Sequence, residues 1–340
     1  MTLARALGPG FFAALAALWL GGCGGEPEYE PDSRGQRSSA IIMGVASTAE
    51  TTYSTVGVTT SPTAAAMNDG AYCSGTLIAP NLVVTAAHCV VEEQNGTIVS
   101  ESVAKDVAVI AGPLDSRKIT ESQKILVRKI VRHPGYPNLD FPADREGLAQ
   151  NHDIALLLLA KNVTDLPAAP VLPLALVNAT LHKGTPVTLS GYGTRNTAET
   201  LFGQLYDAQT PYGRRNDNEF IAGTFGMPDT CPGDSGGPTY VPVNGKHMVF
   251  GVTSRSTATA SLPCGEGGIY TLLPAYYEWI RDNSEGSFPP VEVPQGCSCT
   301  IGRAEARQTP GTWLAALAGL AGLSLLASRR HRSARRSSKI

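Results

Sequence analysis

Apolar positions along the chain gather in short runs. Stretches rich in β-branched and aliphatic residues occupy 75–78, 82–85, 107–111, 125–131, 154–159, 186–190, 248–253 and 268–271, separated by turn residues. Many short strands punctuated in this way predict an all-β sandwich or barrel. The one convincing helical pattern lies near the end, around 273–282. There is no internal repeat at a fixed short period.

Both ends depart from this pattern. Residues 1–22 carry Arg5 and an apolar run at 11–20, followed by Leu20-Gly21-Gly22-Cys23. Such a run is too short to span a bilayer but suits the core of a signal peptide. Leu-Gly-Gly-Cys resembles the bacterial lipobox, which implies cleavage before Cys23 and lipid on its thiol. The alternative is ordinary cleavage after small residues, with Cys23 incidental. Residues 23–40 are rich in Pro and charge and read as a linker or pro-segment. A second linker, 284–311, contains Cys297-Ser298-Cys299, and 312–340 joins an apolar span to Arg329-Arg330-His331-Arg332. That order is similar to bacterial C-terminal sorting tails of the myxobacterial type. A plain C-terminal membrane anchor is the alternative, its basic end held in the cytoplasm. Either way residues 41–283 are expected outside the cytoplasm, at the cell envelope or outer surface or released from it.

Composition narrows the function class. In 340 residues, 42% hydrophobic and 16% charged content excludes wholesale disorder. The net charge of −2 conceals a segregation: residues 300–340 carry +7 and residues 1–40 carry −1, which leaves the middle at −8. An acidic centre argues against a nucleic-acid partner, since phosphate binding needs basic surface.

Three islands bear candidate chemistry. Thr85-Ala-Ala-His88-Cys89 ends an apolar strand, Asp153 opens another in Asp153-Ile-Ala-Leu156, and Gly233-Asp-Ser235-Gly-Gly-Pro238 sets a serine among glycines. Singly, the first two are bland, since a His or Asp at a strand end commonly serves a turn. Together they form a catalytic set. A serine hydroxyl is a poor nucleophile until an imidazole accepts its proton, and a carboxylate fixes the imidazole's tautomer. Gly-X-Ser-X-Gly also occurs in α/β-hydrolases. That fold needs an acid and then a His after the serine, but only His247 and His331 follow, and the alternating helices and strands are missing.

The blocks TAAHC, DIAL and GDSGGP resemble the signatures of the trypsin/chymotrypsin family of serine endopeptidases. The resemblance covers about 70% of the chain. It implies two packed antiparallel six-stranded β-barrels with a C-terminal helix, the first at 41–175 and the second at 176–283. It makes His88 the general base, Asp153 its orienting carboxylate, Ser235 the nucleophile, and the N–H groups of Gly233 and Ser235 the oxyanion hole. It pairs Cys73 with Cys89 and Cys231 with Cys264. Asp229 falls at the base of the specificity pocket, Gly268 on its wall and Ser254 on the strand that pairs with substrate, which together imply cleavage after Arg or Lys. Asp229 as a cap for the turn before Cys231 is the alternative. The expected partners are protein or peptide substrates, with membrane contact only through the terminal segments. The domain is expected to be a monomer without metal or cofactor.

Several positions depart from the family pattern. Ile221 stands where a further bridging Cys is usual, and Ser254-Arg255-Ser256 replaces Ser-Trp-Gly. Arg255 is thus expected to repel a basic substrate side chain or pair with an acidic one. The acids of the long loop 138–151, Asp140, Asp144 and Glu146, show no calcium-loop spacing and predict a solvated surface segment. Activation in the family frees an apolar N-terminus that pairs with the Asp beside the nucleophile, here Ile41 and Asp234. Ala40 precedes Ile41, not Arg or Lys, so another protease, or trimming after Arg37, is expected to supply that cut. A catalytically silent homologue acting as a surface binding module is the reading from another class, although it would be unusual for one to keep all three residues.

Overall fold

The computed structural model describes residues 41–48, 53–60, 70–138, 140–195 and 202–288. The chain divides into two units, Met1–Val291 and Glu292–Ile340, and all described residues lie in the first. Cys23, Cys297, Cys299 and the two terminal segments fall outside the described residues. Among the described residues, no helix is long and apolar enough to cross a membrane.

Six antiparallel strands close the first barrel: β2 (Thr55–Thr59), β3 (Cys73–Ala79), β4 (Leu82–Thr85), β7 (Ala108–Ala111), β8 (Lys124–Arg132) and β9 (Ala155–Leu159). Every residue of β3, β4 and β9 is buried. These strands lose the in–out alternation because one face fills the barrel and the other is covered by protein. A polar hairpin, β5 (Val91–Gln94) and β6 (Thr97–Glu101), projects from the barrel over Asn95-Gly96, both at positive φ.

The second barrel is built from β10 (Pro186–Gly191), β11 (Tyr206–Arg215), β12 (Glu219–Ala222), β13 (Pro238–Val243), β14 (Lys246–Ser256) and β15 (Gly268–Leu272). They pair in the order β11-β10-β13-β14-β15-β12, and β12 returns to β11 to close the ring. Phe220 stacks on Phe250 and Tyr270 in its core.

The fold is therefore the expected pair of antiparallel barrels, with three local differences. Residues 41–46 were assigned to the first barrel by sequence but belong with the second. Ile41 is wholly buried in the second core, and β1 (Val45–Ala46) pairs with β11. A short helix not legible from pattern, α1 (Leu174–Thr180), buries only Val177, so it shows no amphipathic period. The C-terminal helix, α2 (Tyr277–Asn283), follows a 3₁₀ turn at Leu273–Tyr276, and its Ile280 packs into the first core.

Candidate active site

His88 sits in a 3₁₀ turn, Ala87–Val90, directly after β4. The disulfide Cys73–Cys89 ties that turn to β3. Asp153 precedes β9, and β9 pairs with β4, so the ladder that closes the barrel also brings the two side chains together. His88 Nδ1 lies 2.8 Å from Asp153 Oδ2, and the His88 backbone N–H donates to Asp153 Oδ1 at 3.0 Å. Ser254 Oγ donates to Asp153 Oδ2 at 2.6 Å, and Thr271 Oγ1 donates to the Asp153 carbonyl at 2.8 Å. Asp153 is 2% exposed and the His88 side chain 31%, so the carboxylate is sealed while the ring edge faces solvent.

This arrangement sets the protonation states. Burial alone would lower the His88 pKa, but the charge and hydrogen bond of Asp153, helped by Glu93, outweigh it and raise the pKa; Arg255 works the other way. Burial pushes Asp153 up, yet His88, Ser254 and the backbone N–H bring it below the usual carboxylate value. Such a pair holds an imidazole in the tautomer that leaves its outer nitrogen free to accept a proton.

Ser235 is carried on a turn fixed from several sides. Its carbonyl accepts the Ser74 N–H at 2.7 Å, and the Gly236 N–H donates to the Thr253 carbonyl at 2.8 Å. A Cβ on Gly236 would fall 2.1 Å from Thr85 Oγ1 and 2.9 Å from the Ala86 nitrogen. Only glycine lets this turn press against the segment that leads to His88, and Gly236 adopts φ 80. Gly233, at φ 94, packs against Gly193 in the same way, 2.8 Å from a would-be Cβ. Among the described residues, the N–H groups of Gly233 and Ser235 have no protein acceptor. Two unpaired donors, two residues apart on the turn that carries a serine hydroxyl, are the ingredients of an anion-stabilising site.

The side chain of Asp234 points inward. Its carboxylate accepts the Gly193 N–H at 2.8 Å, the Cys231 N–H at 2.9 Å and the backbone N–H of Ile41. Complete burial nevertheless pushes its pKa up to about 7.

Asp229 lies nearby, 2% exposed. Its Oδ1 accepts the Thr230 N–H at 2.8 Å and its Oδ2 accepts the N–H groups of Gly265 and Gly267, each at 3.0 Å. Tyr270 OH stands 3.4 Å from Oδ1. Among the described residues its partners are all neutral, and burial raises its pKa against them. The disulfide Cys231–Cys264 joins the two segments that enclose it. A Cβ on Gly268 would lie 2.9 Å from Tyr270 OH, so this wall stays bare.

Two expectations change here. Arg255 is not free to meet substrate charge, because Glu219, which is fully buried, pairs with its Nη1 at 2.8 Å. Loop 138–151 is not simply solvated: Arg214 pairs with Asp144 at 2.8 Å and also with Glu146, while Leu148 is buried against Ile221 and Ile269. Ser254, expected on the strand that meets substrate, spends its hydroxyl on Asp153. Sequence reasoning gave no role to Thr271 or Glu219, which lie in short apolar strands without a motif around them. Cys73, His88 and Cys89 come close enough to share an ion, but the disulfide consumes both sulfurs.

The sequence model of the family described as Trypsin matches residues 50–280. Chymotrypsin-like elastase family member 1 of Homo sapiens is 34% identical over 224 residues, covering 62% of this chain and 80% of the relative. The protein of the same name from Felis catus is 32% identical over 226 residues, covering 62% and 77%. CLIP domain-containing serine protease B4 of Anopheles gambiae is 27% identical over 239 residues, covering 63% and 62%.

Proposed function

Because the chain belongs to the trypsin family and is a serine endopeptidase, we propose that it cleaves peptide bonds after Arg or Lys through Ser235, His88 and Asp153. The observation that carries this reading is the sealed Asp153 carboxylate on His88 Nδ1, beside a glycine-packed turn that presents Ser235. With Nδ1–H held by Asp153, Nε2 accepts the Ser235 proton as Oγ attacks the substrate carbonyl carbon. The carbonyl oxygen, now negative, is met by the N–H groups of Gly233 and Ser235. His88 then passes the proton to the leaving amine, the C–N bond breaks, and an acyl-enzyme remains. Water, deprotonated by His88, repeats the sequence and releases the acid.

Specificity rests on Asp229. A buried carboxylate with only neutral partners gains most from a cation that reaches it, which an Arg or Lys side chain supplies. A second reading, for small apolar side chains, is favoured by the same carboxylate's backbone hydrogen bonds and by the elastase names of two relatives. Peptide amides ending in Arg, Ala and Phe separate the two. Asp229→Ser is expected to cut kcat/KM on the Arg amide by roughly 10²–10³-fold while sparing the others. An unchanged order of preference would favour the second reading.

Activation by a cut before Ile41 fits its burial and its backbone contact with Asp234. Ile41 adopts φ 51, a left-handed conformation costly for a β-branched residue. Freeing its nitrogen removes that restriction and places an α-ammonium where it holds Asp234 ionised. The two disulfides belong to a protein exported to an oxidising compartment. Tethering to the envelope through Cys23 or the C-terminal tail completes the proposal.

A further inference from the structure

Beyond the residues that perform the reaction, the wall next to Asp153 contains an ion pair between a buried Glu219 and a partly exposed Arg255. Glu219 opens β12 and is fully buried. Its Oε1 accepts Arg255 Nη1 at 2.8 Å; its Oε2 accepts Arg255 Nη2 at 2.9 Å and the Ala149 N–H at 2.7 Å. Arg255 Nη2 also donates to the Gly147 carbonyl at 2.8 Å, and Nη1 lies 3.2 Å from Ser254 Oγ. Ser254 in turn donates to Asp153. An unbroken series of polar contacts thus runs from Glu219 through Arg255, Ser254 and Asp153 to His88.

A pair with one member buried is a weak device for stability, since apolar side chains of similar volume often serve as well. Its placement offers two other services. A few positions before Asp153, it clamps residue 149 to β12 and residue 147 to β14, the strand that carries Ser254. It also sets a cation, balanced by the Glu219 carboxylate, against the Ser254 hydroxyl that holds Asp153. We propose that Glu219 and Arg255 are positioning residues for the His88–Asp153 pair: the fork fixes the Asp153 segment and the balance of the two charges tunes His88.

This rests on the catalytic reading above. The groups facing His88 and Asp153 from neighbouring elements are Glu93 on β5, Tyr136, which donates to Glu93 at 2.8 Å, His152 and Tyr276, paired at 3.0 Å, and Arg255 on β14. Of these, Glu93 acts on His88 to raise its pKa and Arg255 to lower it. Removing one member of the ion pair leaves the other's charge uncompensated, so the two variants act in opposite directions.

The test is the pH profile of kcat/KM for the active protein, with sites counted by a serine-directed titrant, on whichever peptide amide it cleaves best. Glu219→Gln leaves Arg255 unbalanced and is expected to move the acid limb down by roughly half a pH unit. Arg255→Met removes the cation and is expected to move it up by a similar amount. The double variant returns close to the parent midpoint. Shifts in the same direction, or lower rates with no shift in either variant, would overturn the proposal and leave the pair a structural brace. Should Arg255→Met not fold, Glu219→Gln decides alone, because it keeps the side chain's shape and one acceptor oxygen while losing the charge. A parent protein that cleaves no amide would sink the catalytic reading and this inference with it, whereas an active parent with immobile midpoints sinks this one alone.

Discussion

Ser235→Ala is expected to lower turnover on any peptide amide by about 10⁶-fold, with substrate binding largely retained. The size of the loss follows from how the group works. Without Oγ there is no acyl-enzyme, and His88 and Asp153 are left with only water to activate. What remains is the contribution of the anion-stabilising N–H groups and the bound geometry. The fold should not suffer, since the Ser235 contacts that hold its turn are made by backbone: its carbonyl to Ser74, and the following N–H to Thr253. Steady-state hydrolysis, together with a thermal melt of both proteins, checks the pair of claims. Retention of more than a trace of activity in the variant would remove Ser235 from the mechanism.

Asp153→Asn is expected to cost about 10⁴-fold, as in other triads of this order. Asparagine fits the same space but presents an N–H to His88 Nδ1, which drives the ring proton to Nε2, where it blocks acceptance from Ser235. The variant also carries a pH signature with a definite sign. Activity in the parent is expected to rise as His88 loses its proton, a proton that Asp153 holds more tightly than in an ordinary imidazole. Once the carboxylate is replaced, burial is left as the dominant influence on His88. The acid limb of the residual activity is therefore expected to shift to lower pH. A pH–rate profile on the purified variant measures it, and a shift to higher pH would contradict the ion pair described here.

Much of the candidate site is legible in the sequence because its residues are confined to short contiguous blocks. Ser235 and its glycines form one stretch, and His88 and Asp153 each mark a strand end. The strands found from pattern include ones buried on both faces, such as β9, and long ones, such as β8 and β14. Yet β2, interrupted by Gly57, and β12, with three apolar residues, escape it although wholly buried. Those missed have specific causes. β13 contains Pro238 and Pro242, β11 is interrupted by Pro211 and partly exposed, and β5 and β6 are polar because their hairpin stands in solvent. Two signals were nevertheless present: Asn95-Gly96 and Asn244-Gly245 both adopt the positive φ values of tight hairpin turns.

What no local reading supplies is the partnering of Glu219 with Arg255. The two lie 36 positions apart, with neither period nor motif to link them. β15 lies between their strands, with Glu219 opposite Thr271 and Arg255 opposite Ile269, so the contact arises from sheet order alone. The exchange of Trp for Arg at that position looks from sequence like a change of substrate preference. In the fold it is an internal ion pair. Ile41 teaches the same lesson: its side chain fills the second core although the residue opens the segment that leads into the first barrel.

The central claim, that Ser235 is a nucleophile activated by His88, is tested most directly by mass spectrometry after reaction with a serine-directed phosphonate. The account predicts one adduct per active protein, on Ser235, and its loss in His88→Ala. A folded protein with its terminus at Ile41 that gains no adduct, or gains one on another serine, would contradict it.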